Sequence, residues 1–249
     1  MVVLKSPEDI EKMRESNAIV AEVLEILREL AKPGVSTLEL DRKAEETTRK
    51  RGAIPAFKGY NGFPYSICAS VNDEVVHGFP SKRPLEEGDI ISIDFGVCYG
   101  GYYGDAAVTI PIGSVSEKAR RLVAATEEAL RRAVEQARVG NRLGDISYAV
   151  QSYVEKEGFA PVRDYVGHGI GTRLHEDPPV PNYGPPGRGL VLKEGMVLAI
   201  EPMINEGTWE VRVKENGWTV VTRDGKLSAH FEHTVALTRE GPRILSLPA

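Results

Sequence analysis

The segment Val166-Gly-His-Gly-Ile-Gly-Thr-Arg-Leu-His-Glu-Asp-Pro178 holds two of the five histidines in a 249-residue chain. Imidazoles in such a setting bind metals, carry protons or donate hydrogen bonds to a developing oxyanion. On a helix His168 and His175 would share one face. Gly167, Gly169 and Gly171 argue instead for a loop or strand that lets a ligand come close to the backbone. Either both imidazoles bind one metal, or they divide the labour.

Four carboxylates accompany them. Asp94 and Glu201 each end a short apolar run, and Asp105 and Glu232 each open a segment rich in β-branched residues. A single Asp or Glu at a strand end is ordinarily a solvated turn residue, but carboxylates that follow buried runs need compensation. For four of them a pair of divalent cations is the most economical compensator. Oxygen ligands with one imidazole favour Mn, Fe, Co or Zn, and carboxylates can bridge two ions held roughly 3.5–4 Å apart. Neither Cys68 nor Cys98 falls within this pattern.

The elements that must position these groups repeat. Gly34, a helix, Lys50-Arg-Gly52 and Pro55 return as Gly140, a helix, Lys156-Glu-Gly158 and Pro161, each 106 positions later. Glu87-Gly-Asp-Ile-Ile-Ser-Ile-Asp94 returns as Glu194-Gly-Met-Val-Leu-Ala-Ile-Glu201. Asp105-Ala-Ala-Val-Thr-Ile has its partner in Glu232-His-Thr-Val-Ala-Leu, and His77-Gly-Phe-Pro80 in His175-Glu-Asp-Pro178. Matches in this order imply two similar αβ halves, about 1–110 and 111–249, packed around an approximate two-fold axis in one domain spanning 1–249. Helical periodicity and capping residues predict helices over Ser6–Leu30 (Ser6 as cap, Pro7 in the first turn), about Thr37–Arg51, Glu117–Arg138 and Arg142–Glu157, with strand and turn elsewhere.

Composition narrows the classes. The net charge of −5 gives no global reason to expect nucleic acid. The apolar runs are strand-length, so no membrane span is expected, and two unpaired cysteines without an apolar leader fit a cytoplasmic protein. The chain is long enough to bury a core without disulfides.

Asp94, Asp105, His168, Glu201 and Glu232, in Asp-Phe-Gly, Gly-Asp-Ala-Ala, Gly-His-Gly-Ile-Gly, Ile-Glu-Pro and Phe-Glu-His-Thr contexts, resemble the five metal ligands of the methionine aminopeptidases, and the likeness extends to Val71-Asn72, His77-Gly78 and Trp218 through Lys226. The resemblance implies the α+β "pita-bread" fold, with a central curved antiparallel sheet and helices outside. The absence of a long insertion between His168 and Glu201 and of an extension before the first helix resembles the compact type I enzymes. It further implies that Asp94 chelates one metal, His168 and Glu201 complete the other, and Asp105 and Glu232 bridge both. Glu201 would then serve as general base and acid, His175 as donor to the oxyanion, and His77 as a contact to the scissile amide or the next residue. Tyr60, Phe63, Cys68 and Trp218, with Phe57 and Leu174, would line the methionine slot. Asn72, Glu74 and Ser228 match positions that hold a structural Na or K ion. The expected substrates are amino termini of nascent polypeptides with a small second residue, met by a monomer in transient association with the ribosome.

Two alternatives stand beside this reading. A prolidase or Xaa-Pro aminopeptidase shares fold and ligands but carries an additional amino-terminal domain, whereas about 90 residues precede Asp94 here. A non-catalytic binding module of the same fold would have lost a ligand, and none is lost.

Overall fold

The computed structural model describes residues 1–248. Four helices, α1 (Pro7–Leu30), α2 (Thr37–Lys50), α3 (Glu117–Gln136) and α4 (Leu143–Lys156), form as two successive pairs. Capping boxes start the first pair: Ser6 with Asp9, and Ser36 with Glu39, each satisfying amides that a helix start leaves open. The helices lie within two residues of the predicted bounds. The largest difference is at α3, which closes at Gln136 rather than Arg138 so that Gly140 can reach the Leu192 carbonyl at 3.0 Å.

The first half supplies strands β1 (Ile54–Pro55), β2 (Cys68–Val71), β3 (Glu74–Val76), β4 (Ile90–Tyr99) and β5 (Tyr102–Pro111). The second supplies β6 (Ala160–Pro161), β7 (Gly167–Gly169), β8 (Glu176–Val180), β9 (Val197–Ile200) and β10 (Met203–Asn205). It continues through β11 (Val211–Val213), β12 (Val220–Thr222), β13 (Ser228–His230), β14 (Glu232–Thr238) and β15 (Gly241–Ile244). The main antiparallel sheet runs β1-β4-β5-β14-β9-β7-β8, with β2 also on β4 and β15 on β14. Two three-stranded sheets, β13-β10-β6 and β11-β12-β3, flank it.

Corresponding positions of the two sequence blocks share local backbone geometry. Gly34 and Gly140 share the left-handed conformation (φ 93° and 94°), as do Gly88 and Gly195 (φ 95° and 84°). The amides of Leu85 and Leu192 donate at 2.8 Å to the carbonyls of Val35 and Asn141. Isolated bridges Ser36↔Pro84 and Arg142↔Val191 repeat the same crossing. The halves meet where β5 pairs with β14.

Strand alternation decides which face is chemical. On β4, Ile91, Ile93, Phe95 and Val97 enter the apolar core beneath α1 and α2, which turns Asp94 to the opposite face. On β14, Val235 and Leu237 enter the core beneath α3 and α4, which turns Glu232 and Thr234 the same way as Asp94. The helices therefore cover one face of the curved sheet and the carboxylates converge on the other.

Candidate active site

Asp94 sits mid-strand on β4, Asp105 on β5, His168 on β7, Glu201 directly after β9 and Glu232 at the start of β14. Sequence separation is erased by register: Asp94 and Glu232 both face Ala107, while His168 pairs with Ala199. One cavity of about 200 Å³ is lined by these five residues together with His77, His175, Phe57, Tyr60, Phe63, Cys68, Leu174 and Trp218, so every residue singled out for the reaction or the methionine slot reaches it. Asn61 is the one additional lining residue. A larger groove of about 680 Å³ lies on the helical face between α1 and α3, and of the predicted site residues it touches only Glu232.

The glycines around His168 have a different use from the one their sequence pattern suggested. A Cβ on Gly167 would lie 2.3 Å from the Ala199 carbonyl oxygen, and one on Gly169 would lie 2.1 Å from that of Asp177. What comes close to this backbone is the protein's own neighbouring chain, since β7 is squeezed between β8 and β9.

The carboxylates have no compensating cation from the chain itself: among the described residues no lysine or arginine pairs with any of the four, and Asp94 Oδ1, Asp105 Oδ1 and Glu232 Oε1 are buried without a hydrogen-bond partner. Burial, reinforced by Glu201 and opposed by His230, pushes Asp94 up to about 7, and burial pushes Glu201 up to about 8. Burial and then the neighbouring carboxylates drive Asp105 and Glu232 well above the usual range. Burial, with the His175 ring beside it, holds His168 down to about 3. His168 is thus neutral. Its Nδ1 donates to the Gly169 carbonyl at 2.9 Å, which leaves a lone pair on Nε2. That lone pair lies 3.6 Å from Glu201 Oε1 and 3.9 Å from Asp105 Oδ2. Acceptors facing acceptors at such distances repel unless a proton or a cation lies among them. Single ligand atoms of Asp105, His168 and Glu232 also fall within 4.8 Å of one another. The donor set fits divalent ions bound through oxygen and one imidazole.

The second histidine is wired differently. His175 Nδ1 lies 2.8 Å from the Tyr60 hydroxyl, and its ring centroid is 4.3 Å from that of His168. Burial lowers the His175 pKa, so this imidazole too is neutral. His77 stands across the cavity in a left-handed conformation (φ 58°), costly for a residue with a Cβ and typical of functional sites. Its carbonyl accepts from Thr219 Oγ1 at 3.2 Å, and its ring meets Trp218 and Tyr165 edge-on. The β3–β12 pairing places Val76 opposite Val220, which is why His77 and Trp218 adjoin.

Phe63 packs edge-to-face against Trp218 at 5.2 Å, and Cys68 is the register partner of Asp94 across β2 and β4. Burial and the Asp94 charge raise the Cys68 thiol, which keeps it neutral and soft, suited to a thioether neighbour. Asn72 and Ser228 are joined by a Ser228 amide donating to the Asn72 carbonyl at 2.9 Å, while Glu74 accepts from the Val71 amide at 3.0 Å.

His230 was not foreseen. Its Nε2 is buried and unpartnered, 3.6 Å from Glu201 Oε2. His230 ends β13 and Glu232 opens β14 in a different sheet, so strand periodicity in the sequence did not announce that it joins the cluster.

A carboxylate and imidazole cluster at the seam of two repeated halves is the build of a metallohydrolase. The chain belongs to metallopeptidase family M24, whose family profile matches residues 11–239. It is 57% identical over 248 residues to the methionine aminopeptidase of Clostridium acetobutylicum, covering 99% of both chains. It is 54% identical to methionine aminopeptidase 1 of Bacillus subtilis, again over 99% of both. The crystal structure of the methionine aminopeptidase from Thermotoga maritima superposes with a TM-score of 0.98 at 50% identity, covering 99% of this chain and 100% of that one. The prolidase of Pyrococcus horikoshii is more distant: TM-score 0.80, 25% identity, all of this chain but 65% of that one. Among the described residues no helix is long and apolar enough to cross a membrane.

Proposed function

We propose that this chain removes the amino-terminal methionine from polypeptides whose second residue is small. The observation that carries the reading is the single cavity in which the orphaned carboxylates, His77, His175 and the Tyr60, Phe63, Cys68 and Trp218 slot converge. The full-length likeness to methionine aminopeptidases supports it. Asp94, Asp105, His168, Glu201 and Glu232 would hold two divalent ions (Co, Mn, Fe or Zn), with Asp105 and Glu232 shared. When bound, such ions polarise the scissile carbonyl and make water acidic enough to attack near neutral pH.

The chain's own groups do the rest. Glu201, at the edge of the cluster, takes the proton of the attacking water and returns it to the leaving amine. In the tautomer in which the Tyr60 hydroxyl donates to His175 Nδ1, the His175 proton resides on Nε2, free to donate to the carbonyl oxygen as it gains charge. His77 contacts the scissile amide and crowds the space beyond it, which is the source of the preference for Gly, Ala, Ser, Thr, Pro, Val or Cys in second place. The aromatic slot takes the thioether. The carbonyls around Asn72 and Ser228 would hold a monovalent ion that braces β3 and β13. Nascent chains, a cytoplasmic setting, a monomeric state and transient ribosome association belong to the same reading.

Turnover of Met-Ala-Ser, Met-Lys-Ser, Leu-Ala-Ser and Ala-Pro, by chelated and metal-restored protein, tests it. Cleavage of Met-Ala-Ser alone, abolished by chelation and restored by several divalent ions, is the expected result. Equal turnover of Met-Lys-Ser, full activity at zero metal content, or preference for Ala-Pro would overturn it, the last in favour of a prolidase.

A further inference from the structure

The segment before α1 is fastened to the turn that presents His175. Lys5 Nζ lies 2.6 Å from Glu176 Oε2, and the two side chains are only 5% and 2% exposed. Glu176 follows His175 directly, and its other oxygen accepts from the Arg173 amide at 3.1 Å. Lys5 Nζ also donates to the Val3 carbonyl at 3.0 Å. Separately from the ion pair, the Lys5 amide donates to the Gly195 carbonyl at 2.7 Å, and the Gly195 amide donates to Leu237 of β14 at 3.0 Å. The lysine is therefore anchored to the sheet on one side and to the turn on the other.

Two glycines are shaped around it. A Cβ on Gly171 would lie 2.4 Å from Lys5 Cε and 2.8 Å from Glu176 Oε1, and one on Gly195 would lie 2.7 Å from the Lys5 carbonyl oxygen. Gly171 opens the turn and Glu176 closes it, with Leu174 and His175 between. Desolvation of two buried charges consumes most of what their attraction returns, so the pair adds little net stability. Its distinctive effect is to fix geometry, because a carboxylate that lost its lysine would be left buried and unpaired and would turn toward water. His175 would move with it, away from Tyr60 and from the cluster.

We propose that Lys5 is a positioning residue for the reaction: through Glu176 it locks the 171–176 turn so that the His175 imidazole is held over the carboxylate cluster. The proposal rests on the reading of His175 as the oxyanion donor. Its test is a double-mutant cycle of Lys5→Met with His175→Ala, measuring kcat and KM on Met-Ala-Ser and metal content in the metal-loaded full chain. Lys5→Met should lower kcat roughly 10–100-fold, the scale of a misplaced catalytic group, with both metals retained. In the His175→Ala background it should lower kcat no further, because residues acting as a unit are non-additive. Lys5→Arg should recover part of the loss. Should Lys5→Met not fold, Lys5→Met/Glu176→Gln leaves no buried charge alone: without the ion pair to lock the turn it is expected to lose kcat, though less than Lys5→Met, and that loss should again vanish in the His175→Ala background. An unchanged kcat, loss of a metal, or an equal further loss in the His175→Ala background overturns the role of Lys5. A His175→Ala variant that keeps full kcat overturns the oxyanion assignment itself, and that single variant tells the two failures apart.

Discussion

His168 and His175 have ring centroids 4.3 Å apart, tilted 54° to one another, yet their hydrogen bonds differ. His168 spends its one N–H on the Gly169 carbonyl and turns the lone pair of Nε2 into the cluster. His175 has a hydroxyl beside Nδ1 and, on the proposed reading, keeps the other nitrogen for the substrate. His168→Ala is expected to weaken the binding of one metal, whereas His175→Ala should keep both and lose kcat and kcat/KM alike, by about 100–1000-fold for a lost oxyanion donor. Metal titration calorimetry with steady-state kinetics decides the matter, and a His175→Ala variant short of one metal would contradict the division. The four carboxylates were legible from the duplicated blocks and His168 from its glycine-flanked segment, but Asp94 does not end its strand as the apolar run before it suggested: pairing with β5 carries β4 on to Tyr99. The Tyr60 hydroxyl was not, since it reaches His175 across 115 residues through a turn with no periodicity. The Lys5–Glu176 pair, 171 residues apart, escaped for the same reason.

At the scale of elements the seam between β5 and β14 does most to hold the cluster. Two threonines clamp it on either side of the Ala107↔Glu232 pair. Thr234 Oγ1 donates to the Asp105 carbonyl at 2.8 Å and accepts from the Asp105 amide at 3.2 Å. Thr109 Oγ1 does the same for His230, at 2.7 Å and 2.9 Å. These hydroxyls stand in for ladder bonds where the two halves join. Replacing Thr234 by the near-isosteric Val leaves two buried backbone groups at Asp105 without partners. It should cost about 1–3 kcal/mol of stability and also weaken metal binding, because Asp105 loses its fixed orientation. Denaturant melts of the metal-free protein and metal titrations read the two effects separately, and unchanged metal affinity would show that Asp105 is oriented by other contacts. Element types and helix ends were readable from period and capping residues, Ser6 and Ser36 above all. Strand order was not, because β4 to β5 is a local turn whereas β5 to β14 joins residues more than 120 positions apart, which only the duplication hinted at.

The whole molecule closes two halves over charge that neither could bury alone, and this gives the metal-free fold an unusual pH dependence. Unfolded Asp and Glu lose their protons near pH 4. In the fold, Asp94 is raised to about 7 and Glu201 to about 8, with Asp105 and Glu232 raised as well. Between about pH 4 and 8 the folded state therefore holds protons that the unfolded chain has released, so the free energy of unfolding falls as pH rises through that window. Carboxylates shifted the other way act elsewhere. Asp9, held at about 2 by the Tyr102 hydroxyl, and Glu128, held at about 2 by Arg131 and Arg132, lose their contributions only as pH drops below about 4. Divalent ions displace the stored protons, so binding should release them and add more stability at about pH 8 than at about pH 5. The Tm of chelated protein should thus decline from about pH 5 to 8 while that of metal-restored protein does not, and calorimetric titrations in buffers of different ionisation enthalpy should detect protons leaving as metal enters. A chelated Tm that is flat or rises over this range would mean that lysine, arginine or water neutralises the cluster instead. The four carboxylates would then no longer require cations to close the seam.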